Sequence, residues 1–134
     1  TTIKGGVNVP DGRQSVMPAM AAVLGSEQAV TESAVSVQSL LGMKVDETLA
    51  AAGSKSYATV CAACHGVDGK GNAALGAPNL TDNDWMYGST LEDIKYGINN
   101  GRAGQMPAHL PLIGETQARL AAAYVYSLSQ ARNK

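Results

Sequence analysis

The chain has 134 residues, enough for one ordinary domain or two very small ones, and a formal net charge of −1. That balance, with no basic run and no aromatic ladder, excludes a nucleic-acid binder, and no stretch approaches the roughly 18 consecutive apolar residues of a membrane span. Hydrophobic residues make up 45%, yet there is no Phe and one Trp; a close-packed interior so poor in large side chains implies either tightly packed Ala-rich helices or a bulky group that fills the space.

The N-terminal Thr1-Thr2-Ile3-Lys4 lacks a start Met and an apolar signal region and reads as a mature or excised end. Residues 1–42 repeat a later part of the chain. Ile3-Lys4-Gly5-Gly6-Val7-Asn8 resembles Ile94-Lys95-Tyr96-Gly97-Ile98-Asn99 at an offset of 94 − 3 = 91. Gly12-Arg13 with Met17-Pro18 resembles Gly101-Arg102 with Met106-Pro107 at 106 − 17 = 89, and Ser36-Val37-Gln38-Ser39-Leu40 echoes Tyr124-Val125-Tyr126-Ser127-Leu128 at 124 − 36 = 88. Repeats imply duplicated structural units; the alternative is a helical extension with chance similarity. The first copy has no Cys-x-x-Cys-His, so it reads as the rear half of a unit without its front. The expected division is a remnant over 1–45 and a complete domain over 46–134, the remnant either folding by itself or wrapping onto the second unit.

Asp46 can cap a helix running to about Cys64, with Leu49, Gly53, Tyr57, Val60, Cys61 and Cys64 inward. The missing side chain at Gly53 is expected to let a last helix cross closely there, with Tyr124 packed over it. At the end of this helix stands Cys61-Ala62-Ala63-Cys64-His65, the attachment signature of c-type haem. Two thiols must add to the two vinyl groups on one porphyrin edge, one helical turn spans them, and the adjacent His65 falls under the iron. A structural zinc needs four protein ligands, and only His109 remains to complete the set. A thioredoxin-like pair wants a βαβ setting.

Gly66 to Gly88 is a Gly/Pro/Asn-rich loop. Its Gly76-Ala77-Pro78-Asn79-Leu80 run is placed to lend a carbonyl, that of Pro78 first, to the second ring nitrogen of His65. Trp85, Tyr87 and Arg102 are candidates to hold the haem propionates, with loop packing and a solvated Arg as the alternative; Leu80 and Ile98 are counted with them as cofactor-binding residues. Ser89-Thr90-Leu91-Glu92 reads as a capping box opening a helix with Leu91, Ile94 and Ile98 on one face, stopped by Asn100-Gly101.

The sixth iron ligand is expected in the following loop. Met106 lies 106 − 65 = 41 residues after His65, Pro107 biases it away from helix, and Gly101 and Gly104 allow backbone close to a flat ring. Met86, His109 or an open site are the alternatives. Met17 is the equivalent methionine of the first copy, where no haem is expected. A last helix starts near Glu115, with Leu120, Ala121, Tyr124, Val125 and Leu128 inward. No segment alternates like a strand, so the class is all-α: haem-centred helices with long loops.

The runs Cys61–Asn72, Gly76–Asp82, Asp84-Trp-Met-Tyr-Gly88, Gly101–Ala108 and Ala122–Ser129 resemble the second haem domain of the di-haem subunit of cbb-type cytochrome c oxidases, over roughly residues 46–132. The resemblance implies a class I cytochrome c fold, one covalent haem c on Cys61 and Cys64, His65 and Met106 as axial ligands, and no catalysis by the domain itself. It also implies a place at the periplasmic face of the inner membrane behind an anchor absent here. There it would take electrons from a soluble donor cytochrome c toward the haem–copper subunit. The competing functions are a free-standing periplasmic cytochrome carrier, and an enzyme or gas sensor with an open haem site.

Overall fold

Helices and loops make up the computed structural model, which describes residues 2–132; among these there are isolated bridge pairs and no strand. The all-α class expected from the sequence is the class observed. The chain folds as two compact units that do not follow a boundary at 45/46. One is Ser15–Ala103, and the other joins Thr1–Gln14 to Gly104–Lys134. The exchange points are equivalent positions of the repeat, since 103 − 14 = 89 is also the offset from Met17 to Met106. The rear half of the first copy therefore completes the front half of the second.

Unit Ser15–Ala103 holds helices α2 (Ala21–Leu24), α3 (Glu27–Leu40), α4 (Glu47–Ser56), a π turn (Tyr57–Cys61), α5 (Ala62–His65) and α6 (Leu91–Asn100). Each long helix starts on a side-chain cap, which satisfies otherwise orphaned N–H groups. Ser26 Oγ accepts from Ala29 N, and Asp46 Oδ1 accepts from Thr48 N and Leu49 N. The box before α6 sits one residue later than expected: Thr90 caps, and Asp93 answers it. Ser89 stays outside, its carbonyl accepting from Gln38 Nε2 at 3.2 Å. The core is Val30, Ala34, Val37, Tyr57, Ile94 and Ile98, flanked by partly buried Met17, Met20, Leu40, Cys61, Leu80 and Trp85.

α3 and not the last helix crosses α4 at Gly53. A Cβ there would overlap the Glu32 carbonyl and crowd Ser33 N. This corrects the expected Tyr124–Gly53 crossing, since the backbone of Glu32 and Ser33 fills that place. The inward stripe is also narrower than read. Ala50, Gly53 and Tyr57 are buried, Cys61 is half-buried, and Cys64 is exposed. The wider π turn shifts the register just before the motif.

The second unit pairs α1 (Thr2–Gly5) with α7 (Leu110–Arg132). Gly114, at φ 75° and ψ 172°, interrupts α7, so an unbroken helix starts at Glu115. The face expected to point inward is largely open: Leu120 is 65% exposed and Val125 58%, while Ala118 is the buried residue. A four-residue helix is too short to cover it. The repeat shows in matched hydrogen bonds. Met17 and Arg102 exchange N–H···O bonds at 2.8 Å each; Met106 and Val7 do so at 3.0 and 2.9 Å. Met20 N donates to Ile98 O as His109 N donates to Ile3 O. The partners are thus related by 102 − 7 = 98 − 3 = 95, not by 91. Gly6-Val7 takes the role of Gly101-Arg102, and Asn8–Arg13 form an excursion with positive φ at Asn8 and Asp11.

Candidate haem site

α5 ends on His65, which is buried with 8% exposure. Its Nδ1 lies 3.0 Å from the Pro78 carbonyl. A carbonyl only accepts, so Nδ1 carries the proton and Nε2 keeps its lone pair as a ligand. The loop making this contact is folded back by its own bonds. Gly71 N donates to His65 O, Leu80 N to Gly69 O, and Asn72 and Ala77 pair. Gly71, at φ 82°, lies under the backbone of Ala77–Asn79, where a side chain would overlap it. Tyr57 closes the other side, donating its hydroxyl to Gly66 O at 2.8 Å.

Cys61 and Cys64 are both free thiols. Burial pushes the Cys61 thiol up, and Cys64 adds to the effect, so Cys61 stays neutral near pH 7. Burial, then Cys61 and Asp68, push the Tyr57 hydroxyl up to about 12. The residues fit a covalent haem. Two unpaired thiols stand one turn from a histidine whose outer nitrogen is already engaged. Among the described residues the largest fully buried side chains are Val30 and Ser33, which leaves room in the core for a bulky group.

The other expected residues divide. Leu80 and Trp85 pack against the core, and Ile98 belongs to it. Trp85 Nε1 donates to Asp82 O at 2.9 Å, so its N–H is already used. Arg102 Nη2 donates to Asp93 O at 3.2 Å, and the guanidinium stacks 4.2 Å from the Tyr87 ring centre and 4.7 Å from that of Tyr96. Arg102, Tyr87 and Tyr96 thus form a cluster beside α6. Met106 and His109 belong to the other unit. Met17, set aside in the sequence reading, shares a unit with His65. The signal for it was present, because the two Met-Pro loops are alike and one haem motif serves both.

An all-helical fold carrying Cys-x-x-Cys-His, with the histidine oriented by a loop carbonyl, defines a c-type cytochrome, a holder of haem c. Residues 48–125 match the family described as cytochrome c oxidase, cbb3-type, subunit III. The chain is 43% identical to the cbb3-type oxidase subunit CcoP of Rubrivivax gelatinosus over 122 residues, 91% of this chain and 40% of that protein. It is 40% identical to FixP of Azorhizobium caulinodans over 130 residues, 95% of this chain and 44% of that one. FixP of a Bradyrhizobium species is 47% identical over 93 residues, 69% of this chain and 32% of the relative. The chain belongs to the subunit III family of cbb3-type cytochrome c oxidases and spans less than half the length of these relatives. Among the described residues, no helix is long and apolar enough to cross a membrane.

Proposed function

We propose that this chain is an electron-relay domain of a cbb3-type oxidase, holding one haem c. The observation that carries the reading is the His65 Nδ1–Pro78 carbonyl contact beside two free thiols. Cys61 and Cys64 would hold the haem covalently through their two free thiols. His65 Nε2 and a methionine sulfur would hold the iron. Bound there, the haem supplies one-electron ferric–ferrous chemistry. The protein's own part is static: Pro78 holds the histidine's tautomer and ring angle, while Tyr57, Leu80 and Ile98 keep its surroundings apolar and dry.

Likeness to CcoP and FixP supports an oxidase subunit over a free-standing carrier. A soluble donor cytochrome c on one side and other oxidase subunits on the other are the proposed partners. The proposed place is the periplasmic face, reached through an anchor outside these residues. Carbon monoxide tests the axial pair: the ferrous protein is expected to bind it slowly and incompletely. Rapid stoichiometric binding would favour the open-site reading of a sensor or enzyme.

A further inference from the structure

We infer that the Tyr57 hydroxyl is a positioning group for the haem: through a closed circuit of hydrogen bonds it holds His65 against the Pro78 carbonyl and so sets the reduction potential. The inference rests on the haem reading above and adds to it a residue that acts through the histidine ligand. The circuit can be followed bond by bond. Tyr57 Oη donates to Gly66 O at 2.8 Å. The same oxygen accepts from Gly69 N at 3.2 Å, so both of its lone pairs are used. Gly69 O accepts from Leu80 N at 2.7 Å. Just before Leu80 in the loop, Pro78 O accepts from His65 Nδ1 at 3.0 Å. His65 is bonded to Gly66, where the circuit began, and Gly71 N adds a bond to His65 O at 2.8 Å. The links between are backbone groups, so Tyr57 and the imidazole are the side chains through which the circuit can be altered.

The local structure is built to put Tyr57 there. α4 gives way to the π turn at Tyr57, and Ala62 N reaches back to Tyr57 O. Such turns are rare and frequent at functional sites. Tyr57 is 5% exposed, in the core cluster with Val37, Ile94 and Ile98. Packing alone would be served by a phenyl ring, and a hydroxyl carried into the core costs free energy unless it is bonded. Here its bond goes to the residue that follows the histidine ligand.

A histidine whose Nδ1–H is firmly bonded is a stronger donor at Nε2, and a stronger donor favours ferric iron. Hydrogen bonding to the ligand is one of the levers by which a protein sets the potential of a haem. Without the Tyr57 hydroxyl, Gly66 O keeps the longer 3.2 Å bond alone, the loop slackens, and the bond from His65 to Pro78 lengthens. The ligand becomes a poorer donor and the potential rises.

The test uses the haem-loaded full chain with Tyr57→Phe, Gly69→Ala and Val37→Ala. Tyr57→Phe keeps the aromatic packing and removes the hydroxyl. Its midpoint potential is expected to rise, and the His65 Nδ1–H proton signal of the ferrous protein to move upfield, with covalent haem retained. Gly69→Ala strains another corner of the circuit, where φ is 72° and a Cβ would press on Leu40 and Thr81 at 3.1 and 3.2 Å. It should move both readouts the same way, and it serves if Tyr57→Phe fails to fold. Val37→Ala loosens the same core away from the circuit, so it should lower the melting temperature and leave both readouts in place. An unchanged potential in loaded Tyr57→Phe, or in Gly69→Ala where Tyr57→Phe does not load, overturns the inference and leaves the haem reading standing. A rise in Val37→Ala equal to that in Tyr57→Phe does the same, because Tyr57 would then act as core packing alone. Failure of both circuit variants to take up haem, where Val37→Ala takes it up, makes Tyr57 a folding residue and also overturns the inference. A wild-type chain that takes up no covalent haem overturns the inference and the haem reading together.

Discussion

α3 and α7 are two copies of one helix with opposite fates. Val37 is 5% exposed and its counterpart Val125, at 125 − 37 = 88, is 58% exposed; Ser36 is 5% exposed and Tyr124 66%. Their patterns predict the same inward face. What separates them is a partner: α3 lies against α4 and α6, whereas α7 packs with the four-residue α1. An apolar stripe states which face can be buried, and burial itself needs a complementary surface of sufficient length.

The largest break in this comparison is chemical. Cys61 and Cys64 are the protein's only cysteines, so Cys61→Ala with Cys64→Ala should abolish covalent haem completely. Haem-stained denaturing gels would decide it, and a surviving band would refute the attachment. Gly53→Leu comes next. The added side chain meets the Glu32 backbone, which cannot rotate away, so overpacking should destabilise the unit by about 3 kcal/mol and lower its melting temperature.

The matched pair sharpens the comparison directly. Val37→Ala should lower stability by about 2 kcal/mol through lost burial and a cavity. Val125→Ala should stay within about 0.5 kcal/mol, as exposed substitutions do. Equal losses by chemical denaturation would mean that α7 is covered as well as α3.

An effect smaller than that of Val37→Ala is expected at Tyr57, whose hydroxyl donates to Gly66 O. Its hydroxyl is raised from 10.0 to about 12, so the neutral form is favoured in the fold. The stability it contributes is fully present below pH 10 and lost as pH rises to about 12. Tyr57→Phe should cost about 1 kcal/mol at neutral pH by removing the bond to Gly66 O. It should also flatten the alkaline decline between those two values in a stability–pH series.

Much of the site was legible because its determinants are local. Asp46 as a helix cap, the Cys61–Cys64–His65 spacing and the stop at Gly101 each depend on a few consecutive residues. Pro78 could be named because a loop closing on a motif 13 residues back (78 − 65 = 13) has few carbonyls to offer. The capping box slipped by one residue because Ser89-Glu92 and Thr90-Asp93 both satisfy the pattern, and only the backbone at Thr90 chose. The contacts of Trp85 and Arg102 were not legible: the Asp82 and Asp93 carbonyls and the rings of Tyr87 and Tyr96 that engage them are brought there by the fold.

By itself the sequence determined that the protein is helical, that it carries one Cys-x-x-Cys-His motif, and that its rear half occurs twice. Those facts follow from periodicity, from covalent chemistry at fixed spacing and from direct repetition. Only the tertiary structure decided which rear half completes the site, and with it which methionine stands in the unit of His65. Two segments with the same pattern are nearly equivalent when read along the chain. They become unequal when one front surface, narrowed at Gly53, can be covered only once.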